Sequence, residues 1–126
     1  MKLYTQLIYE FLKENGIQSY HTTILNYDCI FITMDPHFAA EDYPGGFFRT
    51  NEYSAIGIWP NDNGVVTMEY ENPDYKPART LPYGGVRHIH KWYPDTMDVN
   101  IHDPNSLQEI LAFIKKYPDT FDRNYT

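Results

Sequence analysis

Between a helix-type segment near each end, this sequence carries only strand-type segments, turns and loops, and this order limits the folds open to the chain. Pairs of β-rich segments follow one another at about 18–25 with 29–34, 53–59 with 65–71, and 86–92 with 97–102. Antiparallel strands can be joined by short turns, whereas parallel strands need a long crossover that is usually a helix. The order therefore predicts an α+β fold with a mostly antiparallel sheet of about six strands, arranged as three hairpins.

Apolar residues at helical spacing predict an amphipathic helix over about residues 2–14. Its apolar stripe consists of Tyr4, Leu7, Ile8, Phe11 and Leu12. Gly16 stands where a left-handed cap belongs, and Ile17 can close that cap through an apolar contact.

A second stripe predicts the C-terminal helix through Leu107, Ile110, Leu111 and Ile114. Two starts are open: Asp103 as cap before Pro104, or a capping box of Ser106 and Glu109. An amphipathic helix must bury its apolar side, so both helices are expected on one face of the sheet. The opposite face and the loops are then free for binding.

The middle hairpin has the clearest pattern of the three. A five-residue turn at 60–64 places Ile56 and Ile58 on one face with Val66 and Met68. The other face then carries Thr67 and Glu69, and Glu71 shares that face because side chains alternate along a strand. A half-buried antiparallel pair is expected here.

Length and hydropathy indicate one domain at 1–117, followed by a loose polar tail at 118–126. No stretch approaches the roughly 18 apolar residues of a membrane helix, and charges interrupt the N-terminal segment where a signal peptide would be apolar. The single cysteine, Cys29, lies in an apolar run and is predicted to be a small buried hydrophobe. A cytoplasmic protein is expected.

Charge and aromatic content favour a protein partner. Seventeen acidic residues against ten basic ones give a net charge of −7, which disfavours direct nucleic-acid binding and suits a basic protein surface. Aromatic residues make up 17% of the chain, and twelve of them are tyrosines. Tyrosine is enriched at protein interfaces, although it also lines the cores of small sheets.

Two irregular stretches, at 35–52 and 72–85, are long for a small domain, and long loops are often functional. They supply the representative contact residues Asp42, Tyr43, Phe47, Tyr75 and Tyr83. The leading hypothesis is a non-enzymatic interaction module. In composition it resembles small inhibitor and immunity proteins, including phage-type or mobile-element-type blockers of nucleases or defence systems.

An alternative uses the arginines in or beside these loops, Arg49, Arg79 and Arg87. Arginine forks next to aromatic rings suit a nucleotide-like small ligand, held by phosphate contact and stacking. This hypothesis belongs to a different class from the first, since it needs a pocket instead of a surface.

A second alternative is a metal-dependent enzyme built on His88, His90 and His102. In the favoured register of the third hairpin, His88 lies opposite Ile101 and His90 opposite Val99, on an apolar face. A slip of one residue would instead bring the three histidines together with Asp98. No hydrolase nucleophile elbow, P-loop, dinucleotide or metalloprotease motif is present, so the sequence favours a protein that is not an enzyme and has no cofactor.

Overall fold

The computed structural model describes residues 1–24, 26–35, 53–72 and 95–124. The elements in these ranges are α1 (Leu3–Glu14), β1 (Tyr20–Ile24), β2 (Tyr27–Thr33), β3 (Ala55–Pro60), β4 (Val65–Glu71), β5 (Asp95–Asn100) and α2 (Ser106–Lys115), followed by a short 3-10 helix at Pro118–Thr120. The five described strands form one antiparallel sheet in sequence order. The predicted α+β class is confirmed, while the predicted strand at 86–92 lies outside the described residues.

The β3–β4 hairpin has the predicted faces. Ile58 lies opposite Met68, and both side chains are fully buried. The turn is held by Asn61, whose Oδ1 accepts the N–H groups of Asn63 and Val65 at 2.9 and 3.0 Å. Gly64 completes it with a φ of 89°, in the left-handed region that glycine tolerates.

The first hairpin turns earlier than predicted. Ile24 pairs with Tyr27, and Asn26 takes a left-handed φ of 70°, which asparagine adopts more readily than most residues. The expected turn at 26–28 is therefore wrong by about two residues, and Asp28 belongs to β2. This shift matters because it places the Asp28 carboxylate against the start of α1.

The last strand also lies two residues earlier than predicted, at Asp95–Asn100 instead of 97–102. It ends there because the Asn100 side chain accepts the N–H of His102 at 2.9 Å, and the N–H of Ile101 donates to the carbonyl of Gly64 at 2.7 Å. Val99 and Ile101 are buried in the core and Met97 packs against it, as the favoured register requires. The pairing with 86–92 itself falls outside the described residues.

Both helices cover the same face of the sheet, as predicted, and enclose one main core. Its central members are fully buried aliphatic side chains from both layers, namely Ile8, Leu12, Ile30, Ile32, Ile56, Ile58, Val66, Met68, Ile110 and Ile114. Burial of this many apolar side chains is the principal stabilising contribution to the fold. Among the described helices, none is both long and apolar enough to cross a lipid bilayer.

Helix α1 ends as predicted and packs most of its predicted stripe on the core. Gly16 has a φ of 73°, and the Ile17 N–H donates to the carbonyl of Leu12 at 2.9 Å, which closes the cap. The buried side chains are those of Thr5, Ile8 and Leu12, while Leu7 remains 46% exposed. Tyr4 and Phe11 of the predicted stripe also pack against the core, so the buried face is rotated only enough to expose Leu7 and to turn Thr5 toward a partner in β2.

That partner is Asp28, which is only 8% exposed. Its carboxylate accepts the backbone N–H of Lys2 at 2.6 Å and lies 3.1 Å from Nε2 of His21. Burial by itself would raise the pKa of Asp28, but hydrogen bonds from Lys2, His21 and Thr5 outweigh it and lower the pKa to about 2. The first turn of α1 contains no acidic residue, so this strand carboxylate takes the place of an N-terminal cap.

Helix α2 begins later than an Asp103 cap would allow. Its first residue is Ser106, and the residue before it, Asn105, makes no side-chain cap bond. Asp103 instead belongs to the preceding turn, where its carbonyl accepts the Ser106 N–H at 3.0 Å. The Ser106 hydroxyl is buried and donates to the carbonyl of Ile101 at 3.0 Å, so neither predicted capping arrangement forms.

The segment after α2 is packed on the domain through residue 121, so the prediction of a loose tail is wrong there. The rings of Tyr117 and Tyr70 stack with their centroids 3.7 Å apart, and the Tyr70 hydroxyl donates a hydrogen bond to the Asp119 carboxylate at 2.7 Å. Thr120 is fully buried, and Phe121 packs against the main core. The sequence did not indicate this docking, because the segment is polar in composition and hydroxyl and aromatic groups make the contacts that hold it.

Candidate functional site

The face of the sheet opposite the helices divides into an aromatic half and an acidic half. We call Thr67, Glu69, Glu71, Thr96 and Asp98 the acidic face; these side chains of β4 and β5 face outward, and Val65 and Asn100 continue the same face at one end. The inward neighbours Val66, Met68 and Tyr70 are buried, so the alternation of the strand fixes which side chains face outward.

Strand pairing brings the carboxylates of the acidic face together. Glu69 lies opposite Thr96. The next pair on the same face, two residues along each strand, is Thr67 opposite Asp98, so Glu69 and Asp98 are diagonal neighbours. Side chains at diagonal positions of adjacent strands remain within reach of each other. Burial raises the pKa of Glu69, and the negative charge of Asp98 raises it further.

Basic side chains do not relieve this repulsion from within the described strands. The sequences of the five strands contain no lysine or arginine, and their single histidine, His21, faces the helices beside Asp28. Within the part of the chain that the structure describes, Glu69 and Asp98 therefore form a local excess of negative charge on the sheet.

The aromatic half borders the acidic face along β3. Phe31 and Trp59 meet edge to face with ring centroids 5.9 Å apart. Gly57 lies opposite both Phe31 and Glu69, and a Cβ at this position would come within 2.8 Å of Nε1 of Trp59. A glycine is required here, since the indole occupies the space of a side chain.

Cys29 belongs to this aromatic half and is not a candidate nucleophile. It is fully buried, and burial together with the charge of Asp28 raises the pKa of its thiol to about 12. The thiolate needed for nucleophilic attack is therefore scarce at neutral pH. The prediction that Cys29 is a small buried hydrophobe is confirmed.

Most of the predicted site residues lie outside the described residues. These are Asp42, Tyr43, Phe47, Arg49, Tyr75, Arg79, Tyr83 and Arg87, together with the histidines at 88 and 90. The structure therefore leaves both the loop-surface hypothesis and the arginine hypothesis as predictions.

His102 is described and lies beside α1. Its Nε2 is 3.3 Å from the Tyr4 hydroxyl, and the two rings meet edge to face with centroids 5.5 Å apart. Within residues 1–24, 26–35, 53–72 and 95–124 no group of three His, Cys, Asp or Glu side chains is arranged to hold a metal ion. Where His88 and His90 lie relative to His102 falls outside these ranges.

Comparison with known proteins adds no family to this geometry: no family model matches the chain, and no curated protein or solved structure is significantly similar to it. The sequence did contain a signal for part of the acidic face, since alternation places Glu69 and Glu71 on one side of β4. It gave no signal that Asp98 would lie beside Glu69. The pairing of β4 with β5 joins segments separated by residues 72–94, and alternation within one strand cannot predict it.

Proposed function

We propose that this protein is a non-enzymatic interaction module that binds a protein partner with a basic surface, and that the acidic face is the contact. The observation that carries the proposal is the pair Glu69 and Asp98, two like charges whose proximity raises the pKa of Glu69. A lysine or arginine from a partner would replace this repulsion with attraction. Charge pairs of this kind that become desolvated at an interface contribute about 1.5–7 kcal/mol of coupling energy.

The arrangement around the two acids also suits a protein side chain. Trp59 lies opposite Thr67, which in turn lies opposite Asp98, so an indole and a carboxylate stand in one row across the sheet. A cationic side chain can lay its aliphatic stem along an aromatic ring while its charged end reaches an acid. Rows of this type favour arginine or lysine over a small inorganic cation.

An inhibitor or immunity-type role in the cytoplasm fits this surface. Such proteins act by covering a basic functional surface of another protein, and an excess of negative charge speeds their association over long range. The net charge of −7 supplies this attraction. A blocker of a nuclease or a defence system, whose own ligand is a nucleic acid, would present the complementary basic surface.

The test compares two charge-matched variants. Wild-type protein, Glu69→Gln/Asp98→Asn and Glu10→Gln/Glu14→Gln are immobilised, and proteins retained from a lysate of the source cells are quantified by mass spectrometry. Glu10 and Glu14 are exposed on α1, so the control removes the same charge from another surface. Each retained protein is then purified, and its association rate is measured at low and high salt.

We expect a basic protein that binds the wild type and the α1 variant alike and binds the acidic-face variant at least about 30-fold more weakly, which corresponds to about 2 kcal/mol. Its association with the wild type should slow steeply with added salt. Equal retention by all three proteins would refute the acidic face as the contact. Retention lost equally in both variants would mean that net charge alone drives binding.

A further inference from the structure

A cleft lies at the end of the sheet where β1 begins and β2 ends, beside the docked C-terminal segment. Its volume is about 560 Å³, within the roughly 300–1,000 Å³ typical of small-molecule sites. The lining residues are Gln18, Tyr20, Thr33, Met34, Tyr53, Thr120, Phe121 and Arg123. The cleft belongs to neither the acidic face nor the main core.

The two threonine hydroxyls that line this cleft are hydrogen-bonded within the protein. The Thr120 hydroxyl donates to the carbonyl of Tyr117 at 2.8 Å, and the Thr33 hydroxyl donates to the carbonyl of Ser54 at 2.8 Å. The Thr33 oxygen also accepts the N–H of Asp35 at 3.2 Å. The floor is therefore preformed, and its hydroxyls need no ligand to complete their hydrogen bonds.

The described lining of the cleft contains aromatic rings and one cation. Tyr20, Tyr53 and Phe121 carry the rings, and Arg123 carries the only positive charge among the lining residues that the structure describes. Arg123 is exposed and makes no hydrogen bond or ion pair with the described part of the chain. Among the described residues no carboxylate lines the cleft, although acidic residues outnumber basic ones in the chain by seventeen to ten.

From this lining we infer that the cleft binds a small molecule with a flat ring and one anionic group, of the type of a nucleoside monophosphate. Aromatic walls accept a ring by stacking, and a guanidinium binds phosphate or carboxylate through paired hydrogen bonds. A single arginine among the described lining residues, in a protein of net charge −7, matches one anionic group better than a chain of three phosphates. This site uses none of the arginines that the sequence pattern indicated.

The test uses AMP as the complete probe, adenosine and inorganic phosphate as its two parts, and ATP as the polyanion, all measured by isothermal titration calorimetry on the whole protein. We expect AMP to bind with a dissociation constant below about 1 mM, and each part and ATP to bind at least about tenfold more weakly. Arg123→Gln should weaken AMP binding about tenfold and leave adenosine unchanged. Tyr53→Leu should weaken AMP and adenosine alike.

Lys13→Gln is the matched control, because it removes one positive charge from an exposed position on α1 that does not line the cleft. AMP binding should not change in this variant. The inference is overturned if AMP does not bind, if phosphate alone binds as tightly as AMP, or if Arg123→Gln and Lys13→Gln have the same effect. ATP binding more tightly than AMP would overturn the restriction to one anionic group.

Discussion

Two carboxylates of the same sheet are withdrawn from solvent, and their surroundings shift their pKa values in opposite directions. Asp28, on the helix-covered side, receives hydrogen bonds that lower its pKa to about 2 despite its burial. For Glu69, on the acidic face, burial and the negative charge of Asp98 raise the pKa above its ordinary value. The difference lies in the partners: donors surround the first carboxylate, and another carboxylate stands beside the second.

The two sites therefore contribute to stability with opposite signs. A carboxylate whose folded pKa is lowered stabilises the fold at neutral pH, and one whose folded pKa is raised destabilises it. Asp28 fastens α1 to the sheet and has a structural role. Glu69 reduces stability, and a local conflict of this type is expected at sites used for binding.

The largest effect is expected from Asp28→Asn, which keeps the shape and removes the charge. Since the pKa moves from 3.8 to about 2 on folding, the ionised group contributes about 2 kcal/mol, and the variant should lose this amount at pH 7. The contribution is complete above pH 3.8 and declines as the pH falls through about 2, so the deficit should narrow in acid. Chemical denaturation at pH 7 and pH 3 measures both values.

The exposed Asp103→Asn serves as the control for Asp28→Asn, and its unfolding free energy should stay within about 0.5 kcal/mol of the wild type. If Asp28→Asn behaved like Asp103→Asn, the hydrogen bonds around Asp28 would have no role in fastening α1. The contrast with Glu69 would then disappear.

A smaller loss is expected from Thr5→Val, which removes one of the donors to Asp28 and keeps the side-chain volume. Thr5 is 1% exposed, and its hydrogen bond lowers the pKa of Asp28. The variant should lose about 1 kcal/mol of unfolding free energy, and the pKa of Asp28 should rise. An NMR titration of the Asp28 carboxyl carbon follows the second quantity, and an unchanged pKa would exclude Thr5 as a donor.

In the opposite direction, Glu69→Gln should raise the unfolding free energy by about 0.5 kcal/mol at pH 7. The folded pKa of Glu69 lies above 4.5, so below pH 4.5 the carboxyl is protonated in both folded and unfolded states. The gain should therefore be absent in acid and appear as the pH rises through 4.5 and past the folded pKa. A loss of stability at pH 7 would show that Glu69 is satisfied by partners of its own.

The smallest effect is expected from Asp98→Asn, whose side chain is exposed. On its own, Asp98→Asn should raise the unfolding free energy by about 0.2 kcal/mol. In a protein that already carries Glu69→Gln, it should have no measurable effect on that free energy. NMR titration gives a sharper readout than denaturation, because the pKa of Glu69 should fall when the charge of Asp98 is removed. No change in that pKa would mean that the two acids do not interact.

Local patterns predicted much of the fold. The alternation of apolar and polar residues predicted the faces of β3 and β4, and Gly16 followed by Ile17 predicted the cap of α1. Both features depend on residues that are close together in the chain. The rotation of α1 could not be predicted, since it depends on Thr5 meeting Asp28 across the fold. The predicted start of α2 was wrong for a similar reason, because the Ser106 hydroxyl donates to the carbonyl of Ile101 instead of capping the helix.

The candidate sites were harder to predict from the sequence than the fold was. Glu69 could be placed on an outward face, but its conflict with Asp98 arises only from the pairing of β4 with β5. The cleft around Arg123 was hidden because the C-terminal segment reads as a polar tail. Its docking depends on Tyr117 stacking on Tyr70, a contact between residues far apart in the chain.

The most direct test of the acidic face combines stability and binding in a single variant. For Glu69→Gln, the unfolding free energy and the dissociation constant of the purified basic partner are measured in the same buffer at pH 7. We expect a more stable protein, by about 0.5 kcal/mol, that binds its partner at least about tenfold more weakly. A variant that gains stability and keeps full affinity would contradict this expectation, and so would one that loses both together.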